Sequence, residues 1–116
     1  MTPIPSNLPS YSTDSFQVIL EASSATSAQE VVAAATGKYI YIRDISVSTD
    51  TAQWVQLLDD SASPVVIVSK KYLPANSVWS FRYGNRRRTS LSKALTIKCG
   101  GAVGNISVEV TGVKRA

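Results

Sequence analysis

The sequence contains no histidine, a single cysteine (Cys99) and a single methionine. Without histidine the commonest general base and metal ligand is missing, so neither a Ser-His-Asp nor a Cys-His arrangement can be built. One cysteine excludes an internal disulfide, and on a segment of alternating apolar and polar residues it reads as a small buried hydrophobe. No apolar run approaches the length of a bilayer span, and Met1 to Ser15 has neither a basic cluster nor an apolar stretch. The expectation is therefore no signal peptide and no membrane partner. Internal repeats and low-complexity tracts are absent as well.

What is present fits a folded β domain. Hydrophobic residues make up 44% and charged residues 17% of 116, a globular balance for a chain long enough to bury one core. Charge is unevenly placed along the chain. Residues 1–69 carry two basic residues against seven acidic ones, a net of −5, whereas residues 70–116 carry ten basic residues against Glu109 alone, a net of +9. Such polarity suits complementary docking between copies or onto an acidic partner, unless the two halves interleave in space.

The stretch Gly37 to Thr49 organises the rest. Its β-branched and aromatic residues alternate with polar ones, which predicts a half-buried central strand. Ile40 and Ile42 share one parity, Ile45 and Val47 the other, so a bulge is expected around Arg43 and Asp44. Before it, Pro3, Pro5 and Pro9 make residues 1–14 an extended arm, on which Ile4, Leu8 and Tyr11 offer apolar surface for a neighbouring subunit. Ser15 to Glu21 reads as the first strand, and Gln29 to Thr36 as a strand despite its alanines.

Further strands are expected over Ala52–Leu58, Pro64–Ser69, Ser77–Tyr83, Ala94–Cys99 and Asn105–Val113. Val65 to Val68 is apolar on both faces and therefore expected to be covered on both. Trp79, Phe81 and Tyr83 share a face, after which Gly84 and Asn85 are expected to end the strand and open a basic loop, Gly84 to Lys93. The organisation predicted is an arm (1–14) followed by one domain (15–116): a jelly-roll-like antiparallel β-sandwich of about eight strands.

Few motifs carry chemistry. Ser90-Leu91-Ser92-Lys93 has the Ser-x-x-Lys spacing of penicillin-binding enzymes without their companion motifs or helix. Asp59 and Asp60, beside serines and a proline, read as a hairpin loop and not as a calcium site. Gly100, Gly101 and Gly104 are followed by neither the lysine nor the helix of a phosphate-binding loop. The reading is a non-enzymatic protein with no cofactor and no metal. The basic segment is the most specific feature: Arg86, Arg87 and Arg88, with Lys70, Lys71 and Arg82, and with Trp79 and Tyr83 alongside. These residues suit carboxylates on an acidic protein, phosphates and bases of nucleic acid, or solvent.

From Gly37 onward the order of segments resembles a group of small bacteriophage virion proteins, the jelly-roll capsid decoration or cement type. The pieces that carry the resemblance are Gly37-Lys38-Tyr39-Ile40, Ile45-Ser46-Val47-Ser48, Leu73-Pro74-Ala75-Asn76, Ser77-Val78-Trp79 and Ala94-Leu95-Thr96-Ile97, over about two-thirds of the chain. The run Arg86-Arg87-Arg88 departs from that group. The resemblance implies a homotrimer in the virion, assembled in the host cytoplasm, that binds and stabilises the capsid shell through the major capsid protein or another virion protein. Two other readings stand beside it. A carbohydrate- or receptor-binding tail protein would present Trp54, Trp79 or Tyr72 as a platform, and a nucleic-acid-binding protein would use the arginines.

Overall fold

A computed structural model describes residues 15–101 and 103–116. The expected arm, with Ile4, Leu8 and Tyr11, lies outside the described residues. Eight strands follow in order: β1 (Ser15–Ser23), β2 (Gln29–Val32), β3 (Tyr39–Thr49), β4 (Gln53–Asp59), β5 (Val66–Leu73), β6 (Ser77–Arg88), β7 (Leu95–Cys99) and β8 (Asn105–Arg115). They form two antiparallel four-stranded sheets, β1-β8-β3-β6 and β2-β7-β4-β5. This interleaved order winds the chain back and forth between the sheets as in a jelly roll, so the expected β-sandwich is the fold. Among the described residues no helix is long and apolar enough to cross a membrane.

The inner faces meet in one core. Ile40, Ile42, Ile45, Val47, Ile106, Val108 and Val110 from the first sheet pack with Val55, Leu57, Ile67, Val68, Leu95, Ile97 and Cys99 from the second. On β3 and along most of β8, burial at alternate positions aims these side chains at the core. Burial also pushes the Cys99 thiol above its ordinary pKa.

The register of β3 changes where its sequence parity does. Ile42 lies opposite Gly112 on β8 and Asp44 opposite Thr111, leaving Arg43 as the extra residue. That bulge lets Ile42 and Ile45, three positions apart, both point into the core. A side chain on Gly112 would strike the Tyr41 carbonyl, so the close approach of β8 to β3 beside the bulge requires glycine there.

Several expectations are corrected. Residues 33–36 are not strand, so β2 is half the predicted length. Strand β6 does not end at Gly84: it passes through Gly84 (φ 62°) and Asn85 (φ 65°) and rejoins β3 with Arg87 opposite Ile42 and Arg88 opposite Tyr41. The basic segment through Arg88 is thus strand and not loop. Tyr83 to Arg86 bow out opposite Arg43, and the left-handed backbone of Gly84 and Asn85 makes that excursion possible. Phe81 shares a face with Trp79, since they lie opposite the buried Ile45 and Val47, yet on this edge strand it is 53% exposed. Thr96, which alternation with Leu95 and Ile97 predicts on the outward face, is buried, and its hydroxyl donates to the Leu58 carbonyl at 3.0 Å. In this chain Ile67 and Val68 are buried whereas Val65 and Val66 remain about half exposed, so cover on both faces of that segment is incomplete.

Asp59 and Asp60 act as clamps between loops. Asp59 is 1% exposed, and its carboxylate accepts from the backbone N–H groups of Ser61 (3.1 Å), Val65 (3.0 Å) and Ser90 (3.0 Å). Asp60 accepts from the Ala94 N–H at 2.8 Å. Burial opposes ionisation of Asp59, yet the hydrogen bonds from Ser90, Val65 and Ser61 outweigh it and hold the carboxyl well below its ordinary value.

Candidate docking site

The start of β3 gathers the positive charge of the first sheet. Tyr39 lies opposite Arg115 and Ile40 opposite Lys114 on β8, while Tyr41 and Ile42 face Arg88 and Arg87 on β6. Lys38 precedes β3 and its carbonyl accepts from Ser92, which brings the β6–β7 loop and Lys93 to the same end. The opposite end of the sheet, where Thr49 faces Ile106 and Ser107 faces Glu21, carries Glu21 and Asp50. Asp50 accepts from the backbone and side chain of Asn105 at 2.8 and 3.1 Å, which lowers its pKa. The polarity along the chain therefore survives in space within this sheet.

Tyrosines hold the arginines in place. The guanidinium of Arg88 lies 4.0 Å from the ring centroid of Tyr39 and 5.9 Å from that of Tyr41, and donates to the Tyr41 hydroxyl at 3.2 Å. The two rings are themselves edge to face at 6.2 Å. Arg87, opposite the inward-facing Ile42, emerges on the other side of the sheet edge, 5.5 Å from the ring of buried Tyr83. Arg86 donates through Nε to the Tyr83 carbonyl at 3.0 Å. Stacking on a ring satisfies the flat face of a guanidinium and leaves its N–H edges for a carboxylate or phosphate. Both tyrosine contacts raise the Arg88 pKa, the hydrogen bond to Tyr41 first.

Other predicted site residues lie elsewhere. Lys70 stands 4.3 Å over the Trp54 ring and Lys71 5.6 Å over the Trp79 ring. Trp79 pairs with Val47, six residues along β3 from Tyr41, so the rungs that carry Trp79 and Arg88 lie about 20 Å apart. Arg82 is bound to Asp44 at 3.0 Å and is not part of the arginine end. Of the aromatics a sugar platform would use, Trp54 has Lys70 over its ring and lies against Gly100, whereas Tyr72 is 76% exposed.

Sequence reasoning found the arginines but missed Tyr39 and Tyr41 as their support, and Lys114 and Arg115 as their neighbours. The alternation Tyr39-Ile40-Tyr41-Ile42 held the signal, since it puts both tyrosines on the face opposite the core. An open cleft of about 660 Å³ at the acidic end, lined in part by Glu21, Ser48, Asp50, Asn76 and Val78, was also unforeseen.

No family model matches the chain, and no curated protein does. Among solved structures, the chain is similar to one described under "Bacillus endospore appendages form a novel family of disulfide-linked pili", with 12% identity, coverage of 88% of this chain and 86% of that one, and a TM-score of 0.49. At that level the likeness carries no argument about function.

Proposed function

We propose that this chain is a structural, non-enzymatic component of a bacteriophage particle, a decoration or cement protein that stabilises the capsid shell. The arginine end docks on acidic side chains of the major capsid protein. The observation that carries this reading is the tyrosine-backed arginine end: fixed guanidinium groups on a rigid sheet edge, with N–H edges suited to bidentate pairing with carboxylates. A carboxylate partner is favoured over single-stranded nucleic acid because Tyr39, Tyr41 and Tyr83 already hold an arginine against their rings, and stacked bases would compete for those faces.

A jelly roll supports the reading as a rigid frame that presents such a patch, and the resemblance to virion proteins supports it independently. Association of several copies, three in the homotrimer that the resemblance implies, multiplies weak contacts into firm attachment. The test is co-sedimentation of the purified chain with shells assembled from the major capsid protein of the same genome. Saturable binding is expected; absence of binding to shells, with retention on DNA or on glycans, would sink the proposal.

A further inference from the structure

Four strands lie at sheet edges: β1 and β6 in one sheet, β2 and β5 in the other. Exposed edges invite pairing with another chain, and three of these four carry the usual protections. Strand β6 bears Arg82, Arg86, Arg87 and Arg88 and is broken by the excursion at Gly84 and Asn85. Strand β5 bears Lys70 and Lys71, and its pairing with β4 shifts register twice. Strand β2 has four residues and a register shift of its own.

Strand β1 has none of these devices. Its nine residues pair with β8 without a shift, from Ser15 opposite Val113 to Ser23 opposite Asn105, and Glu21 is its one charged side chain. Among the described residues no strand pairs with its outer edge. Its inward side chains Phe16, Val18 and Leu20 pack against the core but stay partly exposed, whereas Ile45, Val47, Val108 and Val110 on the central strands are buried. Ile19 on the outer face is 60% exposed.

The order of side chains on this edge is self-complementary. Read from Ser15 to Ser23 or backward, the strand runs serine, apolar, polar, aliphatic, isoleucine, aliphatic, polar, apolar, serine. We infer that β1 pairs antiparallel with β1 of a second copy about a two-fold axis at Ile19, joining two four-stranded sheets into one of eight. In that register Ile19 meets its own counterpart, Val18 covers Leu20 of the partner subunit, and Phe16 covers Ala22 of the partner subunit. Gln17 faces Glu21 of the partner subunit, so an amide donor and not a second carboxylate stands opposite the one charge. Each chain supplies the same patch, as a two-fold contact requires. This inference does not rest on the capsid reading.

The test is the mass of the full chain across a dilution series, with engineered cysteines to read the register. A two-fold contact pairs copies whatever three-fold contact also forms, so the expected mass is an even multiple of the protomer, a dimer or a dihedral hexamer. Ile19→Lys sets like charges directly opposite on an exposed face and should weaken pairing roughly tenfold or more without unfolding the protomer. Under mild oxidation Ile19→Cys should form a disulfide-linked dimer and Gln17→Cys should not, since Gln17 faces Glu21; Cys99 is buried and serves as the internal control. A monomer or an odd multiple in the wild type, or equal cross-linking at both positions, would overturn the inference. Even-numbered assembly that appears only after residues 1–14 are removed would assign the edge to that segment, and would overturn it for the full chain.

Discussion

Arg82 on β6 faces Asp44 on β3 across one rung of the first sheet, its Nε 3.0 Å from the Asp44 carboxylate, and beyond this rung both strands leave register. Arg43 at 3.7 Å and the Thr111 hydroxyl at 3.4 Å approach the other oxygen of the same carboxylate. The Asp44 carboxylate beside the bulge is thereby engaged, and Arg82 is set apart from Arg87 and Arg88 opposite the start of β3.

Because the Arg82 side chain is 84% exposed, the pair contributes little to stability. Arg82→Ala should cost less than about 1 kcal/mol in urea denaturation, an effect that shrinks further with added salt. Shell binding should be unchanged.

Asp59 is a different case, because its carboxylate is buried and holds three backbone N–H groups from two loops. Asp59→Ala leaves those donors unmet and should cost roughly 3 kcal/mol at neutral pH. Its folded-state pKa lies below the ordinary 3.8, so its contribution is fully present above that value and is lost as pH falls through the folded value. Wild-type stability should therefore fall as pH drops below about 4, and Asp59→Asn should flatten that fall in pH-dependent denaturation.

Gly112 tests the bulge. A methyl group at this position meets the Tyr41 carbonyl, a backbone atom that cannot swing aside. Gly112→Ala should destabilise by roughly 2–3 kcal/mol, a cost to be measured by thermal and chemical denaturation. Gly101, around which a Cβ finds open space, is the control and should tolerate the same change.

Tyr39 tests the support of Arg88. Tyr39→Leu keeps an apolar side chain and the net charge but removes the ring under the guanidinium. Shell affinity should fall several-fold while stability changes by less than about 1 kcal/mol. Equal affinity would show that the arginine needs no platform.

The legible parts of the fold were those written in parity. Ile40, Ile42, Ile45 and Val47 announce both the central strand and its bulge, because side chains alternate with period two and a break in that period has few structural causes. Gly84 and Asn85 misled for a physical reason: residues that accept positive φ serve a strand-ending turn and a mid-strand excursion equally well, and only pairing with Tyr41 and Ile42 tells them apart. Asp59 was read as part of a hairpin loop, and its bonds from Ser61 and Val65 are local to that loop, whereas its third donor, Ser90, is 31 residues away, beyond any local pattern. Of the candidate site, the arginines were visible as a run, whereas their distribution over both sides of a sheet edge follows from register alone.

The most direct measurement of the central claim is co-sedimentation with assembled capsid shells of the wild-type chain and a variant with Arg86, Arg87 and Arg88 replaced by alanine, at low and at moderate salt. Saturable wild-type binding that weakens as salt rises is expected, with binding by the triple variant reduced at least roughly tenfold at low salt and the fold intact. Equal binding by the two proteins would contradict docking through the arginine end, and no binding by either would contradict the capsid role itself.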